Sequence, residues 1–203
     1  MTARSDVEPT RGASLLLLAA IALQLYFAFR AAMATVIDPE STAFQRSELW
    51  RLTISAQGDD QPHAWRQQWV PYGRISDHLK RAVIASEDDG FVNHEGVDWA
   101  AIEKAWERNA KAEAQIAKAQ SRTPDRPVRA PKIRGGSTIT QQLAKNLWLS
   151  SERTLPRKGQ ELVTTTMLEA MLTKRRILEI YLNNVEWGQG VFGAEAAAQH
   201  YFH

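Results

Sequence analysis

The 203-residue sequence contains no cysteine, which excludes a disulfide framework, a thiol nucleophile, a cysteine-ligated zinc and an iron–sulfur cluster. No sign of charge dominates either: 25 Lys and Arg face 23 Asp and Glu, a net +2, so no overall field calls for nucleic acid. The five histidines show no metal-ligand spacing, and no internal repeat is present. With 44% hydrophobic residues the chain reads as globular: one domain, or one domain plus an anchor.

The anchor is the first thing present. Eighteen residues without a charge, 12–29, separate Arg11 from Arg30, and apolar character resumes through Ala31–Ile37. A helix of roughly 20 apolar residues crosses a bilayer core, and an arginine near one end can snorkel to the interface. A cleaved signal peptide is the competing reading. The run is long for one, however, and its small-residue site, Ala32–Ala34, falls after Arg30. Basic residues flank both ends, so the residues themselves leave the orientation open.

These features divide the chain into a tail (1–11), a transmembrane anchor (12–37), a juxtamembrane segment (38–76) and a helical domain (77–203). In the juxtamembrane segment Leu49–Ser55 is the best strand candidate. Trp50, Trp65 and Trp69 suit either the headgroup level or ordinary packing. Beyond it, Leu79, Ala82 and Val83 recur at helical spacing behind a Ser76 cap, and Trp99–Gln120 is rich in helix formers. Residues 118–134 break the pattern with three prolines and carry six basic residues against Asp125 alone. That stretch is either a lipid-facing basic loop or a solvated linker. Helices are expected again at Ser137–Leu149, Arg157–Leu172 and Lys174–Asn183, followed by a Gly-rich turn at 188–193 and an Ala-rich helix. The expected fold class is mostly α.

Three clusters stand out. Glu87-Asp88-Asp89 follows a helix directly; carboxylates at a helix C-terminus and beside one another are pushed toward the pKa a general base needs. An acidic solvated turn explains the triplet equally well. Gly135-Gly136-Ser137-Thr138 opens a helix with a capping-box pattern, Thr138-x-x-Gln141, and free N–H groups at such a start attract phosphates. Thr138, Gln141 and Lys145 form a polar stripe on that helix, although a plain capped amphipathic helix has the same pattern. Arg153, Arg157 and Lys158 follow, with Glu161 three residues after Lys158. They form a surface ion pair, or cations for a phosphorylated leaving group beside a second acidic residue. Two carboxylates with a cationic site suit sugar transfer from a diphosphate donor. Gly188-x-Gly190-x-x-Gly193 is not a dinucleotide fingerprint, because it follows a helix and has no acidic residue about 20 positions on. His94 reads as structural.

Five blocks stand in order: Glu87-Asp88-x-x-Phe91-x-x-His94-x-Gly96; Gly135 through Thr140-Gln141-Gln142-Leu143-Ala144-Lys145-Asn146; Arg157-Lys158-x-x-Glu161; Lys174-x-x-Ile177-Leu178-Glu179-x-Tyr181-Leu182-Asn183; and Gly188 through Ala197 to Tyr201-Phe202. In this register they resemble the family 51 glycosyltransferases, the peptidoglycan polymerases, both the monofunctional members and the glycosyltransferase half of class A penicillin-binding proteins. The resemblance implies a lysozyme-like, mostly helical domain with a membrane-dipping lobe. It implies polymerisation of lipid II into β-1,4 glycan strands with release of polyprenyl diphosphate. Carried over by position, Glu87 and Glu161 are the catalytic residues, Glu87 as the base and Glu161 as a second carboxylate assisting at the diphosphate. Ser137, Thr138, Gln141, Lys145, Arg153 and Lys158 bind substrate and diphosphate; the sequence requires no cofactor, a divalent cation (Mg or Mn) at the diphosphate being compatible with the family, and it marks no certain metal ligand.

The implied partners are lipid II, the growing glycan strand, the bilayer, and other cell-wall synthases and divisome proteins, with no nucleic acid. The implied location is the bacterial inner membrane, N-terminus cytoplasmic and catalytic domain periplasmic. Two departures from the family pattern carry their own expectations. Residues 118–134 are an insertion expected to be mobile and not catalytic, and the end at Tyr201-Phe202-His203 suggests a chain shortened at its C-terminus. A degradative glycan-cleaving enzyme would not need the diphosphate cations. A non-catalytic membrane-anchored scaffold of a cell-wall complex is the alternative from another class.

Overall fold

The computed structural model describes residues 8–39, 41–55, 65–122, 136–150, 152 and 154–202. Among these, eight α-helices and three short strands are present: α1 (Glu8–Met33), α2 (Ala43–Ser55), β1 (Arg66–Gln67), α3 (Asp77–Glu87), α4 (Trp99–Arg122), α5 (Ile139–Trp148), α6 (Leu155–Met171), α7 (Lys174–Asn184), β2 (Glu186–Gly188), β3 (Val191–Phe192) and α8 (Ala194–Phe202).

The apolar run forms α1, within which Arg11–Met33 is long and apolar enough to cross a membrane. Leu15–Leu18 are exposed, whereas Phe27, Ala31 and Ala34 are buried against the rest of the protein. Gln24, the one polar break in the run, exchanges two amide hydrogen bonds with Gln160 of α6, at 2.9 and 3.1 Å. Residues 34–37 leave the helix. Arg176 of α7 grips them there, donating to the carbonyls of Ala34 and Ile37 and to the Asp38 carboxylate at 2.9, 3.1 and 2.7 Å.

Helix α5 is the central element. Ile139, Leu143, Ala144 and Leu147 are fully buried along one stripe and pack against Leu168 of α6 and Ile177, Leu178 and Ile180 of α7. Each of these helices starts where a threonine accepts from a first-turn N–H. The pairs are Thr138 with Gln141, Thr154 with Arg157 and Thr173 with Arg176. Only the first is a full capping box, with the Gln141 side chain accepting from the Thr138 N–H at 3.1 Å. Ser76 occupies the N-cap position of α3 as expected, but its side chain accepts no hydrogen bond.

Two sequence expectations are corrected. Leu49–Ser55 is helical, the C-terminal half of α2, not a strand. The alternation of Trp50, Leu52 and Ile54 looks like a strand, yet only Leu52 is buried while Trp50 and Ile54 stay exposed. A buried capping box between Thr42 and Gln45 (2.8 and 3.0 Å) starts the helix, and packing on α5 selects its inner face. Helix α4 runs on to Arg122, so residues 118–122 of the expected basic loop are helical; 123–134 lie outside the described residues. Of the three early tryptophans, Trp65 stacks near Phe192 and Trp69 packs on the core, while Trp50 is exposed.

The Gly-rich segment is a hairpin and not a simple turn: β3 lies between β1, to which it runs parallel, and β2, antiparallel. Gly193 has φ +83°, and a Cβ there would stand 2.7 Å from the carbonyl oxygen of Asn183, so this entry to α8 admits only glycine.

Candidate active site

The acidic triplet divides its roles by burial. Glu87 closes α3 and is exposed, whereas Asp88 is buried. Asp88 Oδ2 accepts from the Ile139 N–H at 2.9 Å, at the very start of α5, where the helix dipole favours a carboxylate. His94 Nε2 lies 2.9 and 3.1 Å from the two Asp88 oxygens, and the Gly96 N–H donates to Nδ1 at 3.1 Å. With Nδ1 accepting, the ring proton sits on Nε2 and points at Asp88. Thr138 Oγ1 closes the strap by donating to the Gly96 carbonyl at 2.6 Å. Gly96 itself has φ +89°, and a Cβ would come within 2.7 Å of Thr165. The loop carrying Glu87 is thereby tied to the first turn of α5. Asp88→Ala would strand the Ile139 N–H and the His94 proton in a buried place. We expect it to cost about 3 kcal/mol, read as a lower thermal midpoint.

Glu87 is oriented from the other side by a chain the sequence reading missed. Gln142 Nε2 donates to Glu87 Oε2 at 3.1 Å, and the Tyr181 hydroxyl donates to Gln142 Oε1 at 3.0 Å. Burial, helped by the charges of Glu87 and Asp88, pushes the Tyr181 phenol well above its ordinary range, so it stays a proton donor. A donor at Oε1 leaves the Gln142 amide only one way round, with its NH₂ on Glu87. Tyr181→Phe removes that constraint; the expected result is a roughly tenfold fall in kcat with little change in the fold, checked by steady-state kinetics beside a thermal melt. The signal for Gln142 was its place next to Gln141: the capping box uses Gln141 and leaves its neighbour free for the site.

A cavity of about 270 Å³ opens beside this chain, with Ser137, Gln141, Lys145, Arg157, Lys158 and Glu161 among its walls. Glu161 is 3% exposed, and its two oxygens are occupied: Arg157 Nη1 donates to Oε2 at 2.9 Å and Lys158 Nζ to Oε1. Arg157 Nε is buried with no partner. Arg153 and Gly135 lie outside the described residues. The expectation of free N–H groups at the start of α5 is corrected, since Asp88 holds the Ile139 N–H and Thr138 the Gln141 N–H. Thr138 and Gln141 are both largely buried and engaged in the cap.

A second cavity, about 670 Å³, holds Glu87, Asp89, Asp98, Arg108 and Thr138. Ser137 and Gln142 line both cavities. The arrangement therefore sets an exposed carboxylate on one side of a shared wall and a cationic cavity on the other. Among the described residues no group of three or more His, Asp or Glu could hold a metal ion, and the Glu161 carboxylate is already spent on two cations.

The sequence profile of the Transglycosylase family matches residues 54–203. Among curated proteins, the biosynthetic peptidoglycan transglycosylase of Cupriavidus metallidurans is 51% identical over 195 residues, covering 94% of this chain and 73% of its own. That of Cupriavidus pinatubonensis is 53% identical over 186 residues (90% and 64%), and that of Herminiimonas arsenicoxydans 50% over 187 (92% and 71%). The chain thus spans between 64% and 73% of the length of these relatives.

Proposed function

The chain belongs to the transglycosylase family, the peptidoglycan glycosyltransferases of cell-wall synthesis, and from that premise we propose that it polymerises lipid II at the two joined cavities. The observation that carries this reading is the shared wall. Ser137 and Gln142 line both the cavity that holds Glu87 and the cavity that holds Lys145, Arg157 and Lys158, which supports a reading with an acceptor hydroxyl in one and a diphosphate in the other. In this reading Glu87 takes the proton from the acceptor's sugar 4-hydroxyl. The oxygen attacks the anomeric carbon of the growing chain with inversion, and the C–O bond to the diphosphate breaks. Lys145, Arg157 and Lys158, with Arg153, balance the charge that gathers on the leaving diphosphate. Ser137 and Gln142 position the reacting groups between them. A divalent ion, if used, travels on the diphosphate's own oxygens. A degradative enzyme would leave the cationic cavity without a purpose, so that reading is disfavoured.

The anchor supports a membrane-bound substrate. At about 1.5 Å per residue, the Arg11–Met33 stretch of α1 exceeds a ~30 Å hydrocarbon core only slightly, and Gln24 lies roughly 14 Å short of its Met33 end. Gln160 beside it ties α6 to this anchor helix, and Leu155, Leu162 and Val163 of α6 are exposed, an apolar surface suited to lie near the membrane. We place the N-terminus in the cytoplasm and the domain on the outer face of the bacterial inner membrane. Because the chain has no cysteine, Lys111→Cys on exposed α4 is a clean probe. A membrane-impermeant maleimide is expected to label it from the periplasm in intact spheroplasts, and protection until lysis would reverse the topology. The function itself is tested by feeding labelled lipid II to the detergent-solubilised protein. Glycan strands are expected; hydrolysed or unchanged lipid II overturns the proposal.

A further inference from the structure

The cationic cavity has an aromatic wall that the chemistry described so far does not use. Phe44, from α2, lines it together with Lys145, Arg157 and Lys158, and Leu149 adds a second apolar contact. Phe44 stands ahead of residues 54–203, outside the stretch that carries the family pattern. It is not a loosely attached side chain. The buried Thr42–Gln45 capping box fixes the start of α2, Gln45 Nε2 reaches Asn184 Oδ1 at 3.3 Å, and the Phe44 ring meets buried Phe192 edge-on with centroids 6.3 Å apart. Half-buried, the ring leaves part of its apolar surface in the cavity. A bare phosphate or diphosphate gains nothing from such a surface, and keeping it exposed beside cations carries a hydrophobic cost. A diphosphate esterified to a prenyl chain is different, because its first apolar unit begins one bond beyond the phosphate oxygen.

We propose that Phe44 is a specificity-determining residue: it packs against the prenyl unit adjoining the diphosphate, so that α2 makes this cavity select prenyl diphosphates over other diphosphates. The inference rests on the proposed glycosyltransferase reading and deepens it. Phe44 and the cations act on one ligand from two sides, the cations holding charge and the ring holding the first part of the tail. The ring would thereby also fix the direction in which the tail leaves toward the bilayer.

The test measures competition of farnesyl diphosphate, inorganic pyrophosphate and a nucleoside diphosphate sugar against lipid II binding, using the full-length protein in detergent. For the parent, farnesyl diphosphate should bind more tightly than the other two. In Phe44→Ala its affinity should fall about tenfold while pyrophosphate is unchanged, and Phe44→Leu should recover most of the loss because bulk and apolarity return. An equal loss for farnesyl diphosphate and pyrophosphate would mean that Phe44 only shapes the cavity, and no loss for either would mean that it faces no ligand. Weakening confined to the nucleoside diphosphate sugar would assign the ring to a sugar. Each of these overturns the inference and leaves the glycosyltransferase reading intact. Binding of none of the three to the parent would overturn both. If Phe44→Ala loses its helical circular dichroism, Phe44→Leu is compared instead with Phe44→Gln, which keeps the bulk and removes the apolarity: a preference for farnesyl diphosphate over pyrophosphate kept in Phe44→Leu and lost in Phe44→Gln sustains the inference, whereas equal preference in both variants ends it.

Discussion

Replacing Glu87 by glutamine is expected to lower the rate of glycan-strand formation by about 10²–10⁴-fold, the usual contribution of a positioned general base. The substitution keeps the shape of the side chain and removes only its ability to take a proton. Glu87 is exposed at the end of α3, so the fold should change by less than about 0.5 kcal/mol. The contact with Gln142 can persist through the remaining carbonyl oxygen, which accepts from Gln142 Nε2 as the carboxylate does. The loss should therefore fall on kcat, with lipid II binding retained. Measuring both constants on labelled lipid II, next to a thermal melt, decides the matter. A variant that melts like the parent and polymerises at a comparable rate would remove Glu87 from the chemistry. It would also revive a non-catalytic scaffold role for the domain.

Glu161 should produce the second large effect, and of a different kind. Its carboxylate is buried and bridges Arg157 and Lys158 on its own helix, so in the proposed mechanism its effect on the leaving diphosphate runs through those cations. Glu161→Ala leaves the guanidinium of Arg157, whose side chain is only 15% accessible, without its counter-charge. Breaking a buried pair in this way costs on the order of 3 kcal/mol. We expect a lower thermal midpoint together with a fall in polymerisation of about 10²-fold, as the cations lose their placement. Glu161→Gln keeps one acceptor and most of the packing and should recover much of the stability. Two readouts separate positioning from proton transfer. A positioning residue, when changed to Gln, weakens pyrophosphate competition and leaves the shape of the pH–rate profile alone. A proton-transfer residue removes one limb of that profile and leaves pyrophosphate binding intact.

Much of this protein is legible along the chain because it depends on neighbours a few residues apart. The uncharged run 12–29 specifies a helix long enough for a bilayer by its length alone. The Thr138-x-x-Gln141 pattern sets the start of α5, since both partners of the capping box lie within one turn. The Ala-, Glu- and Lys-rich stretch after Trp99 forms α4.

The tertiary structure decided what depends on distant partners. Whether Leu49–Ser55 forms strand or helix turned on packing against α5, because a short apolar segment fits both periods. Which carboxylate of the triplet faces the cavity and which is buried turned on the Ile139 N–H, 51 positions away. Gln142 and Tyr181 joined the site only because α5 and α7 bring side chains 39 and 55 positions apart to Glu87 and to each other. Phe44 reached the cationic cavity only by the docking of α2. Local spacing determines helices, caps and residue chemistry. Burial and the meeting of remote side chains are set by how those helices pack, and that decided which groups at this site are held, which are free and which share a wall.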